Sequence, residues 1–304
     1  MRENCGKFTL DGAQAYLAAE PDMETTRLSE RLWTITDGNC RTLFIEADNS
    51  VIAYDTFGTP GRARVYQRAI EAAIPDKPVK TIIYTHDHLD HSGYAADLAA
   101  DAEIIADVIC AKVIKLRKAE GQLQPTRIIS GRENRMNIDG VEFTLLNPGP
   151  THGSGNISSY FPEEKLLFSS DTILANAKYG FMPDYHIRNF VQFMRGFLDL
   201  EWETFVPGRF ELTDRGGFKK SCDLVAAVQE ESQHAFAEFV PIWAYEPMQE
   251  YVSNKLAGRF GNMDGFNEHV GQMAIRIVHH YLMGGWGLED TREARIMRAD
   301  EVEL

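Results

Sequence analysis

His86-Asp87-His88-Leu89-Asp90-His91 stands directly after the apolar run Val79 to Thr85 and packs three imidazoles and two carboxylates into six residues. Such crowding at a strand end is costly unless a cation sits there, and imidazole with carboxylate oxygen suits Zn²⁺ and its first-row neighbours. Alternate positions of an extended turn point apart. His86 and His88 can therefore face one way while Asp90 faces another, which divides the cluster between two adjacent sites. Chance is a poor alternative. With nine histidines in 304 residues, His-x-His-x-Asp-His arises roughly 5 × 10⁻⁴ times per chain. Solvated loops draw on Gly, Ser, Asn and Asp rather than on clustered His.

The flanking elements follow from periodicity and turn chemistry. Arg31 to Thr36, Arg41 to Glu46 and Ser50 to Tyr54 read as short strands split by Asp37-Gly38-Asn39 and Asp48-Asn49. Val65, Ala69, Ile70 and Ala73 predict a helix over Arg62 to Ala73, stopped by Pro75, and the strand Val79 to Thr85 delivers the His cluster. Helix, strand and helix follow at Ser92 to Ala100, Glu103 to Ala106 and Asp107 to Ala119, an alternation that makes the chain α/β. Beyond Gly121, Arg127 to Ser130, Arg135 to Ile138, Val141 to Asn147, Ile157 to Phe161 and Lys165 to Ser170 read as mostly antiparallel strands. Near the carboxyl end, Phe266, Val270, Met273, Ile277 and Tyr281 recur at helical spacing. That helix is a packed core element, a cover over a site mouth or a homodimer contact, with Trp243, Tyr245, Met248 and Trp286 adding surface. His279 and His280 cannot share one helix face and are read as structural.

The His segment after a strand resembles the signature of the metallo-β-lactamase-fold superfamily. Asn147-Pro148-Gly149-Pro150-Thr151-His152-Gly153-Ser154-Gly155-Asn156, Leu166-Leu167-Phe168-Ser169-Ser170-Asp171-Thr172 and Phe205-Val206-Pro207-Gly208-Arg209 follow in that family's order. The resemblance covers roughly 28–235. It implies an αββα four-layer sandwich, with 1–27 as a lead segment and 236–304 as a helical extension packed on the same core. It also implies that His86, His88 and His152 hold a first metal, and that Asp90, His91 and Asp171 hold a second, Asp171 bridging both. Zinc is the expected metal, as one or two ions, with iron or manganese as alternatives. A shared water would then lose a proton near neutral pH, with Asp90 orienting or deprotonating it, and a metal-bound hydroxide would attack an electrophile.

One residue departs from the pattern. The family usually closes its metal set with a His after Pro-Gly, whereas this chain has Arg209, a permanently protonated donor that cannot coordinate. The second metal is then weak or absent, or another residue substitutes, or Arg209 grips a substrate anion by bidentate contact. His186 is the candidate substitute, but a lone His beside Tyr185 in a loop is more often a substrate contact or a surface residue than a ligand, and both are taken as substrate-binding candidates. Asp87 is read as an acceptor supporting a ligating imidazole, and Asp55 as either a similar support or a turn former. Ser154 and Asn156 are left between substrate and loop backbone.

Composition narrows the partner. A net charge of −14 argues against nucleic acid, because that binding depends on Lys and Arg neutralising phosphates. No basic amphipathic stretch recommends a membrane surface, no run of eighteen apolar residues occurs, and the first residues lack the apolar core of a secretion signal, so a cytoplasmic chain is expected. Cys5, Cys40, Cys110 and Cys222 contain no Cys-x-x-Cys pair and are expected to be free structural thiols. The expected function is a metal-dependent hydrolase of a small, anionic molecule cleaving an ester, lactone, amide or similar bond. The alternative is a non-hydrolytic ligand-binding or iron-redox member of the same fold.

Overall fold

The structure is a computed structural model and describes residues 10–282 except 154, 189, 239 and 241–244. Cys5, Ser154, Trp243 and everything from Met283 onward, Trp286 included, lie outside the described residues. Chain contacts divide the protein into two compact units, 1–130 with 136–142, and 131–135 with 143–304.

The first unit is built on a seven-stranded sheet in sequence order: β1 (Glu24–Arg27), β2 (Leu32–Thr36), β3 (Arg41–Glu46), β4 (Val51–Tyr54), β5 (Val79–Ile83), β6 (Glu103–Asp107) and β7 (Arg127–Ile129). Tight turns make β1 to β4 an antiparallel meander, while helical crossovers make β4 to β7 parallel. After α1 (Leu10–Ala18), the first crossover is α2 (Pro60–Ala73). It starts where it does because the Thr59 hydroxyl accepts from the Arg62 amide and Pro60 lacks the N–H that would be orphaned in the first turn. The next crossover is not the single helix expected over Ser92 to Ala100. It splits into α3 (Leu89–Ser92) and α4 (Ala95–Ala99), because Tyr94 leaves the helical region at φ −133°. The third, α5 (Val108–Arg117), is capped by Asp107, whose carboxylate accepts from the Ile109 amide at 2.8 Å. Trp33, Phe44, Tyr66, Ile82, Tyr84 and Ile104 fill this unit's core, with Trp33 stacked on Phe44 at 5.6 Å.

The second sheet runs β13-β12-β11-β10-β9-β8, from β8 (Glu133–Ile138), β9 (Val141–Leu146), β10 (Ser158–Phe161), β11 (Leu166–Ser169), β12 (Thr204–Pro207) and β13 (Thr213–Asp214). β9, β10 and β11 pair antiparallel as expected. β12 joins β11 in parallel, with Leu167 beside Phe205 and Ser169 beside Pro207, so the two segments end at the same level. The helices of the second unit are α6 (Phe190–Arg195), α7 (Arg215–Ala237), α8 (Tyr245–Phe260) and α9 (Phe266–Leu282). Met248, Val252, Leu256 and Phe260 of α8 and Phe266, Val270, Met273 and Ile277 of α9 are buried in one cluster with Phe190, Trp202, Phe205 and Phe218. At roughly 1.5–3 kcal/mol per fully buried large side chain, these helices contribute substantially to the second unit's stability.

Candidate metal centre

In the first unit the His cluster begins where β5 ends. Thr85 to Asp87 bend, His88 is extended (φ −63°, ψ 139°), and the chain then turns into α3 at Leu89. The extended alternation expected across the six residues is therefore not kept, and a bend followed by a helical turn sets where Asp90 and His91 lie. The rings still converge: His86 lies 4.6 Å from both His88 and His91, centroid to centroid. His86 and His91 are buried, His88 is half-buried, and the Asp90 side chain is 47% exposed. Gly58 permits this fold-back, since a Cβ there would stand 2.6 Å from the Asp90 Cα.

Buried hydrogen bonds aim these rings. The Asp55 side chain, only 1% exposed, binds His91 Nδ1 at 3.1 Å and accepts from the Thr85 amide at 2.8 Å and from the Thr85 hydroxyl. The Thr85 hydroxyl also lies 2.9 Å from His86 Nδ1. A carboxylate on one ring nitrogen fixes the tautomer so that Nε2 carries the lone pair, the arrangement found behind metal-bound His. His91 Nε2 lies 3.8 Å from Asp90. Asp55 holds this position at φ +51°, a left-handed conformation that Asp tolerates better than most residues. The support reading of Asp55 thus prevails over the turn reading.

Asp87 departs from its expected role. Its carboxylate pairs with Arg117 and its carbonyl accepts from Arg117 and from Gln122 Nε2 at 2.8 Å, so it anchors the loop to α5 instead of supporting an imidazole. One residue expected from the sequence only as a free structural thiol lies at this site. Cys40 Sγ, a carboxylate oxygen of Asp90 and a ring nitrogen of His91 lie within 4.8 Å of one another.

In the second unit His152 follows β9 in a β-bridge with Tyr185, and the His186 amide donates to the Thr151 carbonyl at 2.8 Å. The Tyr185 ring packs edge-on against His152 at 4.8 Å and against Phe190 at 5.1 Å. It is 7% exposed, and burial pushes its phenol far above the usual tyrosine value. Tyr185 is thus a neutral wall for the His152 ring.

Asp171 follows β11 at φ +54° and is 2% exposed. Its Oδ2 lies 3.6 Å from His152 Nε2 and accepts from Arg209 Nε at 2.9 Å and Nη2 at 2.7 Å. The parallel pairing of β11 and β12 brings the Pro207-Gly208-Arg209 turn onto Asp171. Gly208 is required there, because a Cβ would collide with Ser170 Oγ and the Asp171 carboxylate. One carboxylate beside the Arg209 guanidinium is therefore the protein's own.

Residues 35–189 match the Metallo-beta-lactamase superfamily. The chain belongs to that superfamily. It is 42% identical over 273 residues to the 2,4-dinitroanisole O-demethylase subunit alpha of Nocardioides sp. (strain JS1661), covering 89% of this chain and 83% of the relative. It is 31% identical over 272 residues to the subunit beta from the same organism, covering 89% and 85%. The solved metallo-beta-lactamase from Pontibacter korlensis superposes with a TM-score of 0.61 at 17% identity, covering 67% of this chain and 99% of that one, a likeness of fold. The α/β chain with two sheets and helices thus has the metallo-β-lactamase fold, one that binds metal ions, and the protein is an enzyme of this superfamily. Among the described residues no helix is long and apolar enough to cross a membrane.

Proposed function

We propose that this protein is a metal-dependent hydrolase that cleaves an activated aryl alkyl ether. The observation that carries the reading is the 42% identity, across 89% of the chain, to a protein named for O-demethylation of 2,4-dinitroanisole. Water adds and the C–O bond breaks, so that ArOCH₃ + H₂O gives ArOH + CH₃OH, with no oxidant or reductant consumed. In this proposal His86, His88 and His152 hold a first ion, and Asp90, His91 and Asp171 a second. The donor chemistry fits: buried imidazoles aimed by hydrogen bonds, with carboxylates in reserve. When bound, a first-row dication, which we take to be zinc, supplies a water whose proton is lost near neutral pH.

The chain's own groups do the rest. Asp55 keeps His91 in one tautomer and orientation. Asp90, exposed enough to exchange protons with solvent, takes the water's proton and returns it to the leaving oxygen. Arg209 orients Asp171. Because that guanidinium is matched by Asp171, the substrate need not be anionic, and a neutral ring activated by electron-withdrawing groups suits the site. His186 and Tyr185 remain proposed neighbours of the bound substrate. The relatives are named as subunits alpha and beta, and the same reading includes assembly with a second chain of the family, a copy or a homologue, in a cytoplasmic setting where thiols stay reduced.

Product analysis tests this. Incubation of the metal-loaded protein with 2,4-dinitroanisole should release 2,4-dinitrophenol and methanol in equal amounts. Release of formaldehyde would mean an oxidative route and would overturn the hydrolytic reading.

A further inference from the structure

The turn between β2 and β3 carries a thiol to the metal-ligating residues of the first unit. Its conformation is fixed twice over. Asp37 Oδ1 accepts from the amides of Asn39 at 3.0 Å and Cys40 at 2.8 Å, and Oδ2 pairs with Arg62 Nε at 2.9 Å. Both partners of that ion pair are nearly sealed from solvent, with side chains 3% and 5% exposed, so the turn is pinned to α2 and cannot drift. The Asn39 side-chain amide donates towards Cys40 Sγ at 3.8 Å, a contact that favours sulfur bearing negative charge. Cys40 is 5% exposed and forms no disulfide.

We propose that Cys40 is a metal ligand, its thiolate completing with Asp90 and His91 a sulfur-containing second site. The inference rests on the metal-centre reading above and extends it. Arg209 has removed the nitrogen that closes this site elsewhere in the family, and Cys40 supplies a donor in its place from a different part of the chain. A tetrahedral ion with bonds of about 2.1–2.3 Å sets its donors roughly 3.5 Å apart. Three donor atoms already within 4.8 Å reach that spacing by small side-chain rotations. On binding, the thiol proton leaves to solvent, and the thiolate adds its negative charge to that of the carboxylates around the dication. Sulfur in the set selects Zn²⁺ and Co²⁺ over Mn²⁺ or Mg²⁺. The other described thiols lie in no such donor group. Burial pushes Cys110 far above the usual thiol value and Cys222 up to about 12, which suits packing rather than coordination.

Titration of the chelator-stripped full chain with Co²⁺ tests the proposal. The expected result is a near-ultraviolet sulfur-to-cobalt charge-transfer band that disappears in Cys40→Ser. In that variant the weaker cobalt's dissociation constant should rise by at least about tenfold, while the tighter cobalt is retained as an internal sign of intact folding. In the unaltered protein, Zn²⁺ should slow alkylation of Cys40 by iodoacetamide at least about tenfold, a result that needs no variant. Full cobalt binding without the band, a band that survives Cys40→Ser, or alkylation indifferent to Zn²⁺ would overturn the assignment and leave the metal centre standing. Failure to bind any cobalt would sink both.

Discussion

In the first unit a buried carboxylate works behind the imidazoles: Asp55 takes His91 Nδ1 and, through Thr85, steadies His86. In the second unit the buried carboxylate is itself the supported group, with Asp171 gripped through one oxygen by Arg209 beside His152. A cation approaching the first set meets ring nitrogens backed by a buried carboxylate, which strengthens them as ligands. At the second set it meets a carboxylate already matched by a resident cation. The same fold element, a strand end, has been given opposite electrostatic tasks, and the unit with the Arg is expected to contribute the weaker metal affinity.

The largest expected effect lies at the crowded second-unit turn. Gly208→Ala places a Cβ against the Asp171 carboxylate and Ser170 Oγ and should cost about 2–3 kcal/mol in urea unfolding, through displacement of a turn with no room to yield. Next comes the first unit's support. Asp55→Asn keeps the size and the tolerance of a positive φ but removes the charge behind His91, and should weaken metal binding by about 10–100-fold with little change in the far-ultraviolet spectrum. A smaller loss is expected from Arg209→Ala. Asp171 loses its partner, but the Arg209 side chain is 21% exposed, so solvent screening holds the cost to about 1–2 kcal/mol, and added metal should recover it by replacing the missing cation. If Arg209→Ala were as damaging as Gly208→Ala and metal brought no recovery, the contrast between the two supports would fail.

The smallest effect should be at His269 of α9. Burial holds the His269 imidazole below its usual value of 6.5, so its folded pKa lies below the unfolded one. The neutral ring's stabilisation is therefore fully present above about pH 6.5 and is lost as pH falls through the folded pKa. His269→Gln should flatten that acid limb slightly in thermal unfolding and leave the neutral-pH Tm unchanged.

Most strands were legible because alternation and turn residues agreed; Arg41 to Glu46 and Val141 to Leu146 lie where the pattern put them. The His cluster was legible because its donors fall within six residues. Their supports were less so. Asp55 and Cys40 reach His91 only through the pairing of β3, β4 and β5, and no local spacing announces that. Asp87 looked like a support because it sits among ligands, yet a distant Arg117 with full charge outcompeted a neutral imidazole for it. The split between α3 and α4 was hidden because Ala95, Leu98 and Ala99 continue a helical pattern that Tyr94 interrupts. Arg209 was visible as a departure, but its partner was not, since the pair depends on β12 lying parallel to β11.

Elemental analysis of the protein purified without added metal, beside His86→Ala and His152→Ala prepared identically, tests the central claim most directly. The account predicts between about one and two first-row dications per unaltered chain, with zinc foremost, and loss of the tighter ion together with all turnover in both variants, one from each unit. Metal content and turnover equal to the unaltered protein in either variant would contradict it.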